Sequence, residues 1–296
     1  NPFIVVNEFK KNKDFIEASL LLEKSINKKD LICIFGDYDV DGSASTSLLA
    51  KFFDYIKHPY FFYIPDREND GYGPSISLFK KLILKKPKLV IMVDCGSTSN
   101  QSIEYLNAKK IKSIIIDHHE VNKPYPKTNV LINPKKNINN LYKDYYCATT
   151  LTYFFLEIII KKIKSSFDLS NYLIYVLLAL VSDVMPLRKI NRYIALNLIK
   201  NFKIKDNIVF KTLYELCEKK NILTIEDLGF LIGPIINSGG RISNSQIAVD
   251  LLISEKSHVV KAKSLELIKL NNIRKDIENK ILNKINFEKL KKENKD

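Results

Sequence analysis

Three features that often reveal a protein's class are scarce in this sequence: paired cysteines, long apolar runs and arginine. The four cysteines form no Cys-x-x-Cys pair, so neither a zinc site nor a disulfide framework is indicated, and buried reduced thiols in a cytoplasmic protein are expected. The longest apolar run, Tyr172 to Val181, is shorter than the roughly 20 residues needed to span a bilayer. The sequence therefore predicts no membrane association.

Positive charge is abundant, and lysine carries most of it. The 296 residues have a formal net charge of +14 and include 42 lysines but only five arginines. This balance favours a polyanionic partner such as nucleic acid, although a general enrichment of the chain in Lys, Asn and Ile explains the charge equally well. Where lysine is the default cation, an arginine indicates a place that needs a planar, forked hydrogen-bond donor.

An acidic stretch near the N-terminus is the strongest chemical signal. A short apolar run, typical of a strand buried on both faces, begins at Leu31 and leads into Asp37, Asp39 and Asp41. If the chain stays extended, side chains two positions apart point to the same side, and three carboxylates there repel one another unless a cation lies between them. The stretch predicts a divalent metal at the carboxyl end of a strand.

The pattern Asp-x-Asp-x-Asp-Gly also opens the calcium-binding loop of an EF-hand. That loop requires a bidentate Glu at its twelfth position, which is Leu48 when counted from Asp37. It also requires a preceding helix, whereas a β-rich run precedes Asp37 here. The EF-hand interpretation fails on both requirements.

Strand patterns and helix patterns alternate over the first half of the chain. The predicted strands are 31–35, 60–64, 89–93, 113–116 and a short one at 130–132. Helices are predicted at 14–27, 43–53, 75–84 and 101–109. This alternation predicts an α/β fold with a doubly wound, mostly parallel sheet and helices on both faces, in which ligands bind outside the carboxyl ends of the strands.

From Cys147 onward the pattern is helical. Helices are predicted at 147–163, 170–181, 191–201, 209–218 and 224–236, and a small-residue turn at 233–241. A long charged helix, 257–293, looks too polar to be core and is interpreted as a solvated or connecting helix. We therefore predict one domain at 1–253, with an α/β core over about 1–190 and a helical part over about 191–253, followed by a connecting helix at 254–296.

Carboxylates and imidazoles follow three of the predicted strands, and one more acid follows an apolar helix. Together these candidates suit a pair of metals better than one Mg²⁺ held mainly by water, with Asp94, on the middle strand, as the natural bridge. Oxygen-rich ligation with one or two imidazoles favours Mn²⁺, with Mg²⁺ as a substitute. Adjacent residues on a strand point in opposite directions, so His118 and His119 are expected to have different roles. The candidates are Asp37, Asp39, Asp41, Asp94, His118, His119 and Asp183.

These segments resemble the motifs of the DHH phosphoesterases, and most closely those of the RecJ branch, the single-strand-specific exonucleases that digest DNA from its 5′ end. The matching segments are Gly36-Asp37-Tyr38-Asp39-Val40-Asp41-Gly42, Val93-Asp94-Cys95-Gly96, Asp117-His118-His119 and Ser182-Asp183. The RecJ branch is also indicated by Asn1-Pro2-Phe3, by Pro65-x-Arg67 with Gly71-Tyr72-Gly73, and by Gly233-Pro234 through Asn237 and Gly239-Gly240-Arg241. The resemblance extends to about residue 275.

The resemblance implies roles for individual residues. The implied metal ligands are Asp39, Asp41, Asp94, His118 and Asp183, with Asp37 as a catalytic residue that supports them. His119 is implied to contact the scissile phosphate or to assist the leaving group. The expected contacts to nucleic acid or phosphate are Arg67, Tyr72, Ser97, Asn237, Gly239 and Arg241, although a plain surface turn would also explain Arg67 and Tyr72.

The expected function is therefore a Mn²⁺- or Mg²⁺-dependent exonuclease that acts on single-stranded DNA in repair and recombination. Its implied partners are the DNA strand and a repair helicase or single-strand-binding protein. Two alternatives stay open: a phosphodiesterase of the same superfamily acting on short oligonucleotides or cyclic dinucleotides, and a non-catalytic scaffold with this fold. Family members normally continue into a second, glycine-rich domain, so we expect the catalytic part of a longer chain or a naturally reduced protein.

Overall fold

A single five-stranded parallel sheet forms the centre of the molecule. The computed structural model describes residues 9–66, 70–71, 73–136, 145–242 and 244–284. The strands are β1 (Ile32–Gly36), β2 (Tyr60–Tyr63), β3 (Leu89–Val93), β4 (Lys112–Ile116) and β5 (Val130–Ile132). Their order is β2-β1-β3-β4-β5, and every neighbouring pair is parallel. The predicted doubly wound sheet is confirmed.

The strands are apolar runs because the sheet is covered on both faces. Along β1, Ile32 and Ile34 join one hydrophobic core, whereas Cys33 and Phe35 join a second core on the opposite face. All four side chains are fully buried. This is the behaviour expected of a central parallel strand, where successive side chains alternate between two covered faces.

Helices cover both faces of the sheet. The helices are α1 (Lys13–Asn27), α2 (Val40–Tyr55), α3 (Ile76–Leu82), α4 (Asn100–Ala108), α5 (Ala148–Lys162), α6 (Leu173–Ser182), α7 (Lys189–Asn201), α8 (Ile208–Leu216), α9 (Gly233–Ile242), α10 (Gln246–Ile253) and α11 (Ser257–Lys284). Residues of α3 and α4 pack into the smaller core, and residues of α1, α2, α5 and α6 pack into the larger one. Within the described residues, no helix is both long and apolar enough to cross a membrane.

The strand order creates a crevice at the carboxyl ends of β1 and β3. From β1 the chain proceeds to β2 on one side, and β3 then pairs with the other side of β1. In a sheet of this type the chain segments that leave the ends of these two strands diverge at this point, and the space between them can hold a ligand. Asp37 directly follows β1 and Asp94 directly follows β3, so both lie at the mouth of the crevice.

The segment predicted as a small-residue turn at 233–241 is instead helix α9, so that prediction is wrong. A one-turn helix (Ile225–Asp227) and a π-helical turn (Leu228–Ile232) lead directly into it. Packing overrides the low helix propensity of glycine and serine here. The hydroxyl of Ser238 donates to the carbonyl of Leu267 at 2.9 Å, which ties α9 closely to α11.

The expectation that this helix is too polar to join the core is wrong for the first half of α11, whereas its connecting role stays a prediction. Val260, Ser264, Leu267 and Asn271 recur at helical spacing and are buried. A mixed stripe of two apolar and two small or polar residues is enough to dock the helix, because α9 presents Gly239 and Ser238 to it. The predicted continuation to residue 293 lies beyond the described residues, and the predicted domain boundary at 253 stays a prediction.

Candidate metal centre

The acidic loop connects β1 to α2, and the turn into the helix separates the three aspartates. Asp39 is the N-cap of α2, and its carboxylate accepts a hydrogen bond from Gly42 N–H at 3.0 Å. Asp41 lies in the first helical turn, because the helix begins at Val40 and not at the predicted residue 43. The expectation that an extended chain points all three carboxylates the same way is therefore wrong.

The aspartates are nevertheless brought into one centre by side chains from other strands and helices. Among the residues that the structure describes, three groups of side chains each have ligand atoms that lie within 4.8 Å of one another. The groups are Asp37 with Asp39 and Asp94, Asp41 with His118 and Asp183, and Asp94 with His118 and His119. Asp94 and His118 each belong to two groups, so the side chains form one continuous cluster with Asp94 at its centre.

Asp94 is the most constrained of these residues. Its backbone has φ of 61°, a left-handed conformation that a non-glycine residue adopts at a cost, and its N–H donates to Ile116 O at 2.9 Å. The side chain is 1% exposed, and neither carboxylate oxygen has a hydrogen-bond partner among the described residues. Burial, followed by the charges of Asp41 and Asp39, raises the pKa of Asp94 well above its usual value. A buried, unpartnered carboxylate of this kind fits a cation.

His118 faces three carboxylates at once. Its Nε2 atom lies 3.1 Å from Asp183 Oδ2, 3.2 Å from Asp94 Oδ1 and 3.5 Å from Asp41 Oδ2. Neighbouring ligand atoms around an ion with bonds of about 2.1 Å are about 3 Å apart. Burial lowers the pKa of His118, but the nearby carboxylates of Asp183 and Asp41 outweigh burial and raise it. The donor set and its spacing therefore fit a divalent metal.

Helix α5 positions Asp41. The two carboxylate oxygens accept hydrogen bonds from Ala148 N–H at 2.6 Å and from Thr149 N–H at 2.8 Å, at the first turn of that helix. The positive end of the helix dipole favours a negative side chain there. Burial is nevertheless the largest influence on Asp41, and it raises the pKa of the carboxyl.

His119 is held by Asp117, a residue that the sequence prediction of the site did not include. Asp117 Oδ1 lies 2.8 Å from His119 Nδ1 and also accepts the backbone N–H groups of His118 and His119. Because β4 ends at Ile116, the two histidines are not on a strand, and His119 Nδ1 still lies 3.8 Å from Asp94 Oδ1. The position of Asp117, directly after a strand and before the histidines, was the available signal.

The predicted nucleic-acid contacts have different surroundings. Ser97 is buried: its N–H donates to Asp117 Oδ2 at 3.0 Å, and its hydroxyl accepts from Asn133 at 2.8 Å. Gly239 is buried against α11, and Arg241 is exposed. Their roles as phosphate contacts stay predictions. Two further candidates, Arg67 and Tyr72, lie outside the described residues.

Asn237 supports the metal centre from α9. Its side-chain oxygen accepts a hydrogen bond from Val40 N–H at 2.9 Å, across 197 positions of the chain. Val40 lies between Asp39 and Asp41, so this bond fixes the turn that separates the two acids. The geometry therefore gives Asn237 a positioning role, in addition to the phosphate contact that the sequence predicted.

Comparison with known families agrees with the geometry. The family model described as "DHH family, N-terminal domain" matches residues 31–180. The chain belongs to the DHH family. The matched segment contains six of the seven candidate ligands, namely Asp37, Asp39, Asp41, Asp94, His118 and His119. The seventh, Asp183, lies just beyond it.

Curated DHH relatives and solved structures extend the similarity. The chain is 29% identical to the single-stranded-DNA-specific exonuclease RecJ of Haemophilus influenzae, over 88% of this chain and 48% of the relative, and 28% identical to that of Bacillus subtilis, over 91% and 34%. The structure of RecJ in complex with Mn²⁺ from Thermus thermophilus matches with a TM-score of 0.81 at 22% identity, over 93% of this chain and 40% of that one. The chain thus spans about a third to a half of the length of these relatives.

Proposed function

We propose that this chain is the catalytic part of a metal-dependent phosphodiesterase that digests single-stranded DNA from its 5′ end, in repair and recombination. The observation that carries the proposal is the cluster centred on Asp94, in which carboxylates and imidazoles from distant parts of the chain converge on the crevice of the sheet. The relatives named as single-stranded-DNA-specific exonucleases support the choice of substrate, because they match 88% and 91% of this chain.

The cluster suits two divalent ions. One ion would be held by Asp37, Asp39 and Asp94, and the other by Asp41, His118 and Asp183, with Asp94 between them. Such a donor set favours Mn²⁺, with Mg²⁺ as a substitute, and the RecJ of Thermus thermophilus has structures in complex with each ion. When bound, a pair of such ions polarises the phosphoryl group, stabilises developing charge and lowers the pKa of water.

His119 is the residue best suited to act on the substrate itself. Its side chain is 46% exposed, whereas that of His118 is 9% exposed. Asp117 engages Nδ1, which leaves Nε2 for the substrate. In the metal-free protein the hydrogen bond to Asp117, opposed by burial, raises the pKa of His119 to about 9, which favours the protonated imidazole. A protonated His119 would donate a hydrogen bond to the scissile phosphate or a proton to the leaving oxygen.

Helix α9 would provide a further contact to the DNA strand. Arg241, near its end, is exposed, and its forked guanidinium suits a DNA phosphate. Arg67 and Tyr72 are proposed to grip and stack on the strand, as predicted from the sequence. Other partners, a repair helicase or a single-strand-binding protein, are implied by the resemblance alone, and a cytoplasmic location is proposed from the four unpaired cysteines.

The direct test is digestion of single strands labelled at the 5′ or the 3′ end, with Mn²⁺ present. We expect early release of the 5′ label, and loss of release in Asp94→Ala and His119→Ala. Asp206→Ala, an exposed acid outside the cluster, is the matched control and should retain activity.

Three outcomes would contradict the proposal. Release from the 3′ end would reverse the polarity. Activity confined to dinucleotides would favour the alternative of an oligonucleotide or cyclic-dinucleotide phosphodiesterase. Equal inactivity of the unaltered chain and of every variant, despite binding of Mn²⁺, would favour a non-catalytic scaffold.

A further inference from the structure

An exposed aromatic residue lies in the turn that leads into helix α9. Phe230 is 83% exposed, although phenylalanine is normally buried. It lies in the π-helical turn Leu228–Ile232, and such turns are often found at functional sites. The neighbouring Leu228 and Ile232 are fully buried, so the turn itself is well anchored while Phe230 points away from the core.

Phe230 belongs to the uncovered face of the segment that contains α9. Along this segment, exposed or half-buried residues recur at spacings of four, three and four, at Phe230, Pro234, Asn237 and Arg241. Residues with this spacing lie on one face of a helix. The face therefore carries an aromatic ring at one end, a guanidinium at the other, and Asn237, which is bonded to the acidic loop, between them.

Close contacts at two buried glycines fix helix α9 beside the metal centre. A Cβ atom at Gly233 would lie 2.7 Å from Ser182 Oγ, and a Cβ atom at Gly240 would lie 2.6 Å from Tyr38 O. Only glycine permits these approaches. Ser182 directly precedes Asp183, and Tyr38 lies between the first two aspartates of the acidic loop. The segment therefore runs along the edge of the cluster.

We propose that Phe230 stacks on an unpaired base of the bound strand, a few nucleotides from the phosphate that Arg241 contacts. The inference rests on the proposed function and adds a base-stacking site to it. The two residues are 11 positions apart, which is about 16 Å along a helix. Stacking suits an exposed ring because every base has an aromatic face, whereas a paired base within a duplex has both faces covered. The site would therefore favour single strands regardless of their sequence.

Steady-state kinetics with variants of Phe230 give the first test. Phe230→Ala is expected to raise KM for a single-stranded oligonucleotide by about 5- to 150-fold, the range typical of losing one base–aromatic stack. Phe230→Leu should raise KM similarly because it keeps apolar volume without a ring, and Phe230→Trp should restore a KM close to the unaltered value. Tyr55→Ala is the control: it removes a half-exposed aromatic ring at the far end of α2, and KM should not change.

Fluorescence of a base analogue gives the second test, which does not depend on cleavage. The test uses a series of nuclease-resistant phosphorothioate strands, each with one 2-aminopurine at a different position. The unaltered protein should quench the fluorescence of 2-aminopurine at one or two of these positions. Phe230→Ala should lose this quenching. Quenching that is equal in both proteins, or a KM for Phe230→Leu equal to that of the unaltered protein, would overturn the stacking site alone. If the unaltered protein quenches the fluorescence of such a strand but does not cleave an unmodified strand of the same sequence, the stacking site stands and the proposed activity fails.

Discussion

The carboxylate of Asp117 lies 2.8 Å from the imidazole of His119 and also caps the backbone of the segment that contains both histidines. Burial opposes ionisation of Asp117, but its hydrogen bonds and the charge of His119 outweigh burial and hold its pKa well below the usual value. An ionised Asp117 in turn fixes the ring orientation of His119 and favours its protonated form. Carboxylate–histidine pairs of this kind often orient the groups that contact a metal or a substrate.

Asp117→Asn should therefore change the pH profile as well as the rate. We expect kcat/KM to fall by about 10- to 100-fold, the usual effect of losing a partner that orients a functional side chain. The alkaline limb of the profile should move to lower pH, because the pKa of His119, about 9 with Asp117 present, returns toward the ordinary value of about 6.5. A lower rate with an unmoved alkaline limb would show that Asp117 only supports the backbone.

The stability of the metal-free protein should fall as the pH rises. Burial and the charge of Asp39 raise the pKa of Asp37 to about 7. A raised carboxyl pKa means that the fold prefers the protonated form, so stability is lost between pH about 4 and about 7, on the order of 4 kcal/mol for this group. The raised pKa of His119, about 9, acts in the same direction, because the stability it contributes is present at low pH and lost toward pH 9.

Divalent ions should reverse this trend, since they bind the ionised carboxylates and the neutral imidazole of His118. In thermal melts, Tm in EDTA should decrease from pH 5 to pH 9, and the increase in Tm produced by Mn²⁺ should widen from pH 5 to pH 8. Asp94→Asn should raise Tm in EDTA at pH 8 and lose most of the increase with Mn²⁺. An increase with Mn²⁺ that is independent of pH would contradict the assignment of these carboxylates as ligands.

Much of the centre could be predicted from the sequence, because its ligands follow apolar strands of recognisable pattern. A parallel sheet places the ends of β1, β3 and β4 at one edge, so Asp37, Asp94 and His118 meet there whatever the details of the loops. The same reasoning failed for the geometry of the acidic loop. The start of α2 at Val40 depends on an N-cap bond within the loop and on Asn237, which is distant in sequence.

Features that depend on contacts between distant helices could not be predicted from local pattern. The stretch that contains Gly239 and Ser238 has the composition of a turn and becomes helical only because it packs against α11. The charge of α11 likewise concealed its buried stripe, which includes Val260 and Leu267. In both cases the deciding interactions join residues about 30 positions apart or more, which periodicity within one segment does not reveal.

Replacement of Gly240 by Ala should disturb the metal centre through Tyr38. The new methyl group would lie 2.6 Å from the carbonyl oxygen of Tyr38 and 2.9 Å from its ring, so the acidic loop must move. We expect a loss of about 1–3 kcal/mol in the free energy of unfolding, typical of overpacking, and a weaker response of Tm to Mn²⁺. Gly229→Ala is the matched control, because its methyl group would meet only a Val181 methyl at 3.2 Å and should be tolerated. Equal effects of the two substitutions would contradict the role assigned to the Tyr38 contact.

Val184, directly after Asp183, holds a backbone conformation that its side chain disfavours. Its φ is 54°, and the side chain is 86% exposed, so no packing of its own offsets the strain of a β-branched residue in the left-handed region. Val184→Asn should therefore increase the free energy of unfolding by about 1 kcal/mol, measured by urea denaturation. Val184→Thr keeps the β-branch and should leave stability unchanged. If the strained turn sets the position of Asp183, Val184→Asn will also require a higher Mn²⁺ concentration for half-maximal activity. If that Mn²⁺ concentration is unchanged, the strain serves only to end α6.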